Sequence, residues 1–158
     1  MTIDCHLKLD GIKGESTHAK HKDEIALQSW SWGVSNPSNA SGGGMAVGKG
    51  IPQDLHFSKK YDNASPVISK NCAAGKHFKD ATISMSVAGG KQDDFLVIKL
   101  KEVFITSHQV SASTGGEVSD QVSISYSDIE YSYKPQKADG SLGGEVKFGL
   151  DVRATTTR

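Results

Sequence analysis

The densest group of residues that could do chemistry is a histidine and acid cluster near the amino terminus. His18 and His21 lie beside Asp23 and Glu24, and imidazole and carboxylate groups are common ligands of transition metals. Lysines in the same stretch would repel a cation, however, and the spacing matches no zinc motif. We therefore predict a solvated loop here, with no metal ion and no cofactor. The remaining histidines are scattered over different predicted elements, and we expect them to be ordinary polar-face residues.

Two further patterns are typical of enzymes, and neither is complete. Serine, histidine and aspartate are all present, yet the sequence contains no Gly-x-Ser-x-Gly nucleophile elbow. Residues 42–44 are all glycine and precede the pair Gly48-Lys49, but Gly50 follows where a phosphate-binding loop needs Ser or Thr. The sequence thus predicts no catalytic residue and no nucleotide site. We expect a protein that is not an enzyme.

The two tryptophans, Trp30 and Trp32, would share one face of a strand because they are two residues apart. Such a pair could stack on sugar rings, which would make the protein a monomeric β-barrel binding module for a carbohydrate or protein ligand. Large aromatic side chains more often pack in a core or at a subunit contact. We favour packing and keep the binding module as the alternative.

The overall composition excludes several classes of protein. The 158 residues suit a single domain, 1–158, and 18 Lys and Arg balance 18 Asp and Glu, so no positive field exists to hold nucleic acid. No stretch approaches the roughly 20 apolar residues that span a membrane, and residues 1–10 lack a secretory signal pattern. We expect synthesis in the cytoplasm, no membrane insertion and no nucleic-acid partner. Near-zero net charge also permits self-association.

Alternating apolar and polar residues dominate the sequence and predict a mainly β fold. The pattern is clearest in residues 3–9, 81–87 and 146–152. It changes phase near Gln28 and near Asp128, where we predict β-bulges, which curl a sheet and help a barrel to close. The expected fold class is a small antiparallel β-barrel of two curved sheets, with one flanking α-helix and a long extended loop.

One predicted strand, residues 95–105, is apolar on both faces and so needs to be covered twice. The barrel interior would provide one cover, and a helix or a neighbouring subunit would provide the other. The candidates for a subunit interface are therefore Phe95, Val97, Val103 and Ile105.

The flanking helix is predicted between Ser65 and Gly75. Ser65 would be its N-cap, Pro66 would take the first helical position, and Gly75 would adopt the left-handed C-terminal turn. The long loop is the Gly-rich stretch 36–50, and loops of that length are usually functional or disordered. Cys5 and Cys72 match neither a redox pair nor a zinc motif and are expected to be free thiols.

Several blocks of sequence, in order from Ile3 to about Arg153, are together specific. They are residues 25–33 (Ile-Ala-Leu-Gln-Ser-Trp-Ser-Trp-Gly), 53–66 (Gln-Asp-Leu-His-Phe-Ser-Lys-Lys-Tyr-Asp-Asn-Ala-Ser-Pro), 75–77 (Gly-Lys-His), 88–90 (Ala-Gly-Gly) and 133–148, with Gly14-Glu15-Ser16 in agreement. These blocks closely resemble the haemolysin-coregulated protein (Hcp) family of type VI secretion systems. The resemblance implies a β-barrel subunit that works by self-assembly.

The resemblance also implies the partners. Family members form homo-hexameric rings that stack into the inner tube of a contractile injection machine. The tube carries a VgrG-type spike, lies inside a contractile sheath and is expelled into a neighbouring cell when the sheath shortens. Some rings hold effector proteins, and the protein is secreted without a signal peptide. Channel charge and cargo choice stay open, because Ser86-Val87, Pro52 and Leu150 depart from residues common in relatives.

Two sets of residues follow as candidates for these roles. Ser31 lies between the two tryptophans and would point to the opposite face of the strand, so it is the channel-facing candidate. The extended loop of relatives contributes to contacts between rings, which makes the loop here a candidate arm. The ring-stacking candidates in it are Gly42, Gly43, Gly44, Met45 and Val47.

Overall fold

The computed structural model describes residues 2–37, 50–89, 93–154 and 156–158. Within these ranges the chain has one α-helix, α1 Ser65–Ala74, and twelve strands. The strands are β1 Ile3–Leu9, β2 Ile25–Leu27, β3 Ser29–Ser31, β4 Val34–Ser35, β5 Ile51–Pro52, β6 Leu55–Lys60, β7 His77–Val87, β8 Asp94–Ser111, β9 Ser119–Ser125, β10 Asp128–Tyr133, β11 Val146–Asp151 and β12 Thr156–Thr157. The prediction of a mainly β chain with a flanking helix is confirmed. No helix in the described ranges is long and apolar enough to cross a membrane.

Ten of the described strands form one continuous antiparallel sheet. The shared element is β8, an 18-residue strand whose first half pairs with β10 and whose second half pairs with β9. The molecule has two walls. One consists of β1, β7, the first half of β8, β10 and β11, and the other of β3, β6, β9 and the second half of β8. We had predicted two sheets, and the two walls are parts of one sheet because β8 is long enough to run through both. Among the described residues, β4 and β5 form a separate two-stranded ladder.

The sheet curls until its strands form a circuit. From β1 the pairing runs through β7, β8, β9 and β6 to β3. β2 pairs back with β1, and only Gln28 separates β2 from β3. The Gln28 N–H donates to the Ser58 carbonyl oxygen at 2.8 Å, at the point where the chain passes from one partner strand to the other. The first change of phase in the sequence is this change of partner.

The second change of phase lies between β9 and β10. The chain leaves the strand conformation at Tyr126 and Ser127, next to the position predicted for a bulge, and its partner changes from β6 to β11. Both breaks thus serve to pass one stretch of chain from one part of the curled sheet to another.

A third change of phase lies inside β8 and explains why residues 95–105 are apolar at both odd and even positions. Ile98 and Leu100 point into the core before it, and Val103 and Ile105 point into the core after it. Between them Glu102 has a left-handed φ of 52°, a conformation that L residues seldom adopt. The core side of β8 therefore switches from even to odd residues at this point.

The core is a single cluster of apolar side chains between the two walls. Removing such a side chain from water contributes about 1.5–3 kcal/mol before conformational entropy is subtracted. The core side chains that are exposed by 3% or less include Leu7, Leu9, Ile25, Leu55, Phe57, Ile68, Phe78, Ala81, Ile83, Ile98, Leu100, Val103, Ile105, Val122, Ile124 and Ile129.

The helix α1 packs against β8 and covers one side of the barrel-like body. Ile68 faces the core and is fully buried. Gly75 ends the helix in the predicted left-handed conformation, with φ 69°, and its N–H donates to the Asn71 and Cys72 carbonyl oxygens. The start differs from the prediction, because the N-cap is Ala64 and Ser65 is already helical.

Ser65 does not cap the helix because its hydroxyl belongs to a buried ionic group. Lys59 and Asp120 are both 0% exposed, and the Lys59 ammonium lies 2.8 Å from the Asp120 carboxylate. The Ser65 hydroxyl donates to Asp120 and accepts from Lys59 at 2.6 Å. Asp62 accepts a further hydrogen bond from Lys59 at 2.8 Å. These contacts tie the first turn of α1 to β6 and β9.

Candidate functional site

The outward face of β3, β6, β9 and the second half of β8 carries two rows of small polar side chains. The strand register places one row across all four strands and the second row beside it. The first row is Ser31, His56, Ser123 and Ser107, and the second is Ser29, Ser58, Gln121 and Gln109. We call these eight residues the polar face.

The polar face lines a hollow of about 620 Å³. Its side chains are hydroxyls, amides and one imidazole, and several bond to one another across strands. The hydroxyls of Ser29 and Ser58 lie 2.5 Å apart, and His56 Nδ1 lies 2.6 Å from the Ser123 hydroxyl. Each of these groups can donate or accept a hydrogen bond. The face can therefore contact many protein surfaces through weak neutral hydrogen bonds.

The outward face of the other wall is charged instead. One row across β10, β8 and β1 contains Glu130, Lys99 and Lys8, with Thr82 of β7 between the lysines. A solvent-facing antiparallel sheet commonly carries charged and polar residues of this kind. The absence of Lys, Arg, Asp and Glu from the two rows of the polar face is thus a local property and does not extend to the whole surface.

Ser31 lies on the polar face, exposed, and the flanking tryptophans point to the other side of the strand. Both indoles are half-buried and packed against the core. The Trp30 indole N–H donates to Met85 Sδ at 3.0 Å, and the Trp32 indole N–H donates to the Tyr126 hydroxyl. Trp32 also packs on Tyr131, with ring centroids 5.3 Å apart. These rings are occupied within the chain, which argues against a sugar-stacking platform.

The four candidates for a subunit interface separate into two pairs. Val103 and Ile105 are 0% and 1% exposed, so their side chains fill the core of this chain and offer nothing to a neighbour. The phase change at Glu102 is the reason, because it turns both residues inward. Phe95 and Val97 remain half-buried at the surface, and only they stay candidates for contact with another subunit.

The ring-stacking candidates Gly42, Gly43, Gly44, Met45 and Val47 lie outside the described residues. The structure does describe the base of their loop, where Val34 pairs with Pro52 and Ser35 with Ile51. Val34 and Ile51 are 49% and 54% exposed. Two exposed apolar side chains therefore lie where the loop leaves the body, on opposite faces of this ladder.

A histidine cluster is the feature that the sequence did not reveal. His6 of β1, expected to be an isolated polar-face residue, stacks on His21 with ring centroids 4.9 Å apart, and His18 completes the group. Residues 14–24 fold back over β1, so the local pair predicted from sequence becomes a group of three. Within the described residues no set of His, Cys, Asp and Glu side chains has the geometry to hold a metal ion.

A serine, a histidine and an aspartate also lie side by side next to α1, but without the hydrogen bonds that a catalytic triad needs. The Ser69 hydroxyl lies 2.6 Å from His108 Nδ1. His108 Nε2 is 3.5 Å from the Asp120 carboxylate, which is too long for a hydrogen bond to orient the ring. Asp120 is already paired with Lys59. This row of side chains stabilises the attachment of α1.

Comparison with known proteins identifies the family of this chain. The model of the family described as "Type VI secretion system effector, Hcp" matches residues 6–133. The chain is 38% identical over 157 residues to "Protein hcp1" of Pseudomonas aeruginosa, covering 97% of each protein. The chain belongs to the Hcp family. It is therefore a type VI secretion protein of a structural family, as the sequence blocks had indicated.

Solved structures support the Hcp fold over nearly the whole chain. A protein described as "Structure of a type six secretion system protein" has a TM-score of 0.94 at 26% identity, with 99% of this chain and 100% of that chain covered. Hcp1 from Salmonella typhimurium has a TM-score of 0.79 at 29% identity, with 99% and 100% covered. A type VI secretion system effector from Yersinia pestis has a TM-score of 0.76 at 28% identity, with 94% and 100% covered.

Proposed function

We propose that this Hcp chain assembles into six-membered rings that stack into the inner tube of a type VI secretion system, with the polar face lining the channel. The observation that carries the proposal is the pair of uncharged rows across β3, β6, β9 and β8. In this arrangement Ser31 faces the channel.

The chemistry of the polar face suits a channel that must admit different cargo proteins. Two unit charges 4 Å apart interact by about 1 kcal/mol even in bulk water, and a ring would repeat each charge in every subunit. A charged lining would therefore bind or reject cargo according to its sign. Neutral hydroxyl and amide groups contribute about 0.5–1.5 kcal/mol per hydrogen bond, so effector proteins could be held loosely and released.

Ring closure needs two unlike surfaces on each subunit, because a head-to-tail contact joins different faces of neighbouring copies. Phe95 and Val97 would form part of one surface, where Val97 lies beside Ser132 of β10. Tyr133 and Val146, paired at the same end of β10 and β11, are 45% and 64% exposed. They would belong to a different surface, because Tyr133 pairs with Leu96 and lies on the opposite face of the sheet from Val97. Exposed apolar groups of this kind often mark contact sites.

The loop of residues 36–50 would reach an adjacent ring, with Gly42, Gly43, Gly44, Met45 and Val47 in the contact. The exposed apolar side chains of Val34 and Ile51 at its base support this role. The stacked tube would carry a VgrG-type spike, run inside a contractile sheath and transport effector proteins. The subunit would be made in the cytoplasm and secreted by the type VI system without a signal peptide.

The assembly is tested by sedimentation of the purified protein and by negative-stain microscopy. We expect annular particles and a species of six times the monomer mass. A species of monomer mass at every concentration would refute the ring and favour the binding-module interpretation.

The channel assignment is tested by placing a gold cluster on single cysteines. Ser31→Cys marks the polar face and Lys99→Cys marks the exposed charged wall, both with Cys5 and Cys72 replaced by Ser. We expect the gold density to lie inside the annulus for Ser31→Cys and at its periphery for Lys99→Cys. The reverse pattern would show that the charged wall, and not the polar face, lines the channel.

A further inference from the structure

Three histidines, one on β1 and two in residues 14–24, pack together on the outward side of the charged wall. The ring centroids are 4.8 Å apart for His6 and His18, 4.9 Å for His6 and His21, and 5.2 Å for His18 and His21. His6 and His21 are 5% and 6% exposed. Imidazoles this close and this buried repel one another strongly when more than one is protonated.

The cluster connects residues 14–24, here called the histidine segment, to the sheet. The segment holds its own shape through backbone hydrogen bonds, such as those from the Gly14 N–H to the Asp23 carbonyl at 2.8 Å and from the Ser16 N–H to the Glu24 carbonyl at 3.0 Å. Its side chains make charge-dependent contacts with residues at the start of β8. Lys20 Nζ lies 2.6 Å from the Asp93 carboxylate. A change of charge at these contacts would therefore act on the segment as a whole.

His21 lies between two carboxylates. Its Nε2 is 2.8 Å from Asp94 and its Nδ1 is 3.0 Å from Glu24. Burial alone would lower the pKa of His21, but the hydrogen bonds to Asp94 and Glu24 outweigh it and raise the pKa above its usual value. A protonated His21 therefore holds the segment on β8.

His6 has the opposite electrostatics. Burial lowers the pKa of His6, and the nearby His21 and His18 lower it further, against the weaker attraction of Glu24 and Asp4. On β7 the residues beside His6 and Asp4 are the uncharged Ser84 and Ser86. Within the described chain, His6 Nδ1 and His18 Nε2 are buried with no hydrogen-bond partner. A proton added to His6 Nδ1 would thus find no acceptor there.

We propose that the histidine segment is an acid-released latch, in which protonated His21 fastens the segment to Asp94 and Glu24 and protonation of a second imidazole pushes it off the sheet. Opening would expose Ser84 and Ser86, which are now 5% and 0% exposed. Histidine clusters are suited to this role because their charge changes between about pH 5 and 8.

The sign of the pH dependence follows from the two histidines. The stabilisation from neutral His6 is fully present above the usual histidine pKa of about 6.5 and is lost as the pH falls below it towards the lowered pKa. The stabilisation from protonated His21 is fully present below about 6.5 and is lost as the pH rises through the raised pKa. The latch is therefore tightest at about pH 6.5, the usual histidine pKa, where most of both contributions is present, and it opens towards acid.

Hydrogen exchange of the purified full-length chain, followed by mass spectrometry at about pH 6.5 and about pH 5, tests the latch. After correction for intrinsic exchange rates, peptides from the histidine segment should lose protection roughly tenfold at the lower pH. Peptides from the second half of β8 should keep theirs and serve as the internal reference. Equal protection of the segment at both pH values would overturn the proposal.

Three variants separate charge from packing. His6→Gln and His18→Gln each remove one imidazole ring of the cluster, one on a strand and one in the segment, and should each reduce the acid loss to about twofold or less. His77→Gln removes an exposed histidine elsewhere and should behave as the wild type. If both cluster variants have already lost protection at the higher pH, the rings hold the segment by packing, and the acid latch is wrong.

Discussion

Removing the positive charge of Lys59 should destabilise the protein far more than removing that of its neighbour Lys60. Lys59 and Asp120 are both fully buried and form an ion pair at 2.8 Å. Lys60 makes a similar pair with Glu117 at 3.1 Å, but both of those side chains are more than 60% exposed. The two adjacent lysines thus provide a matched comparison of a buried pair with an exposed pair.

The expected magnitudes follow from burial. Lys59→Met leaves the Asp120 carboxylate buried without its cation, which costs about 3–5 kcal/mol. With an m-value of about 2 kcal/mol per M, the urea midpoint falls by about 2 M. Lys60→Met breaks an exposed pair and should cost about 0–1 kcal/mol. Urea unfolding should be compared at one protein concentration, because assembly of the subunits would add stability that depends on concentration.

The double variant Lys59→Met, Asp120→Asn completes the test. It removes both charges while keeping a hydrogen-bonding side chain beside Ser65, so it should recover most of the loss seen with Lys59→Met alone. If Lys59→Met costs no more than Lys60→Met, or if the double variant is as unstable as the single one, the ion pair does not hold α1 to the barrel.

The buried pair also predicts a dependence on pH. Burial alone would raise the pKa of Asp120, but the hydrogen bonds from Lys59 and Ser65 lower it. The stabilisation from ionised Asp120 is therefore present above about pH 4 and is lost as the pH falls through the lowered pKa. Lys59→Met should lack this loss.

Two substitutions in β8 and one near the carboxyl terminus test other parts of the structure. Val97→Lys should leave the chain folded, as seen by circular dichroism, and should weaken the rings, as seen by sedimentation. Ile105→Lys should unfold the chain because its buried charge would have no partner. A folded Ile105→Lys variant would contradict the placement of Ile105 in the core. Arg158 donates two hydrogen bonds to Asp128, at 2.7 and 2.8 Å, and these lower the pKa of Asp128. Arg158→Ala should therefore return that pKa towards about 3.9, seen in carboxyl-carbon NMR titration, and remove stability that is now present above that pH and lost below it. An unchanged titration would show that the Arg158 contact does not persist in solution.

Much of the fold could be predicted from sequence because its signals are local. The alternation in residues 3–9 corresponds to β1, and the glycine at position 75 ends α1 in the left-handed conformation that favours this residue. The same kind of local reasoning was wrong for Ser65. Its hydroxyl has a stronger partner in Asp120, 55 residues away in the chain, and no nearby residue indicates that partner.

The candidate site could be predicted only in part. The parity of Ser31 against Trp30 and Trp32 placed it on the outward face, and the structure agrees. Its neighbours on that face come from β6, β9 and β8 and depend on the register of each pairing. A shift of one residue would exchange the two faces of a strand, so the sequence of one strand does not identify the row that crosses four.

The sequence alone determined the strand pattern, the position of the helix, the absence of complete enzyme motifs and, through its family blocks, the membership of the Hcp family. The tertiary structure decided which apolar residues of β8 are core, and it brought His6 to His18 and His21. The physical reason is the range of the interactions. Alternation and caps act between near neighbours, whereas the turn at Glu102 and the fold of residues 14–24 over β1 depend on strands distant in the chain.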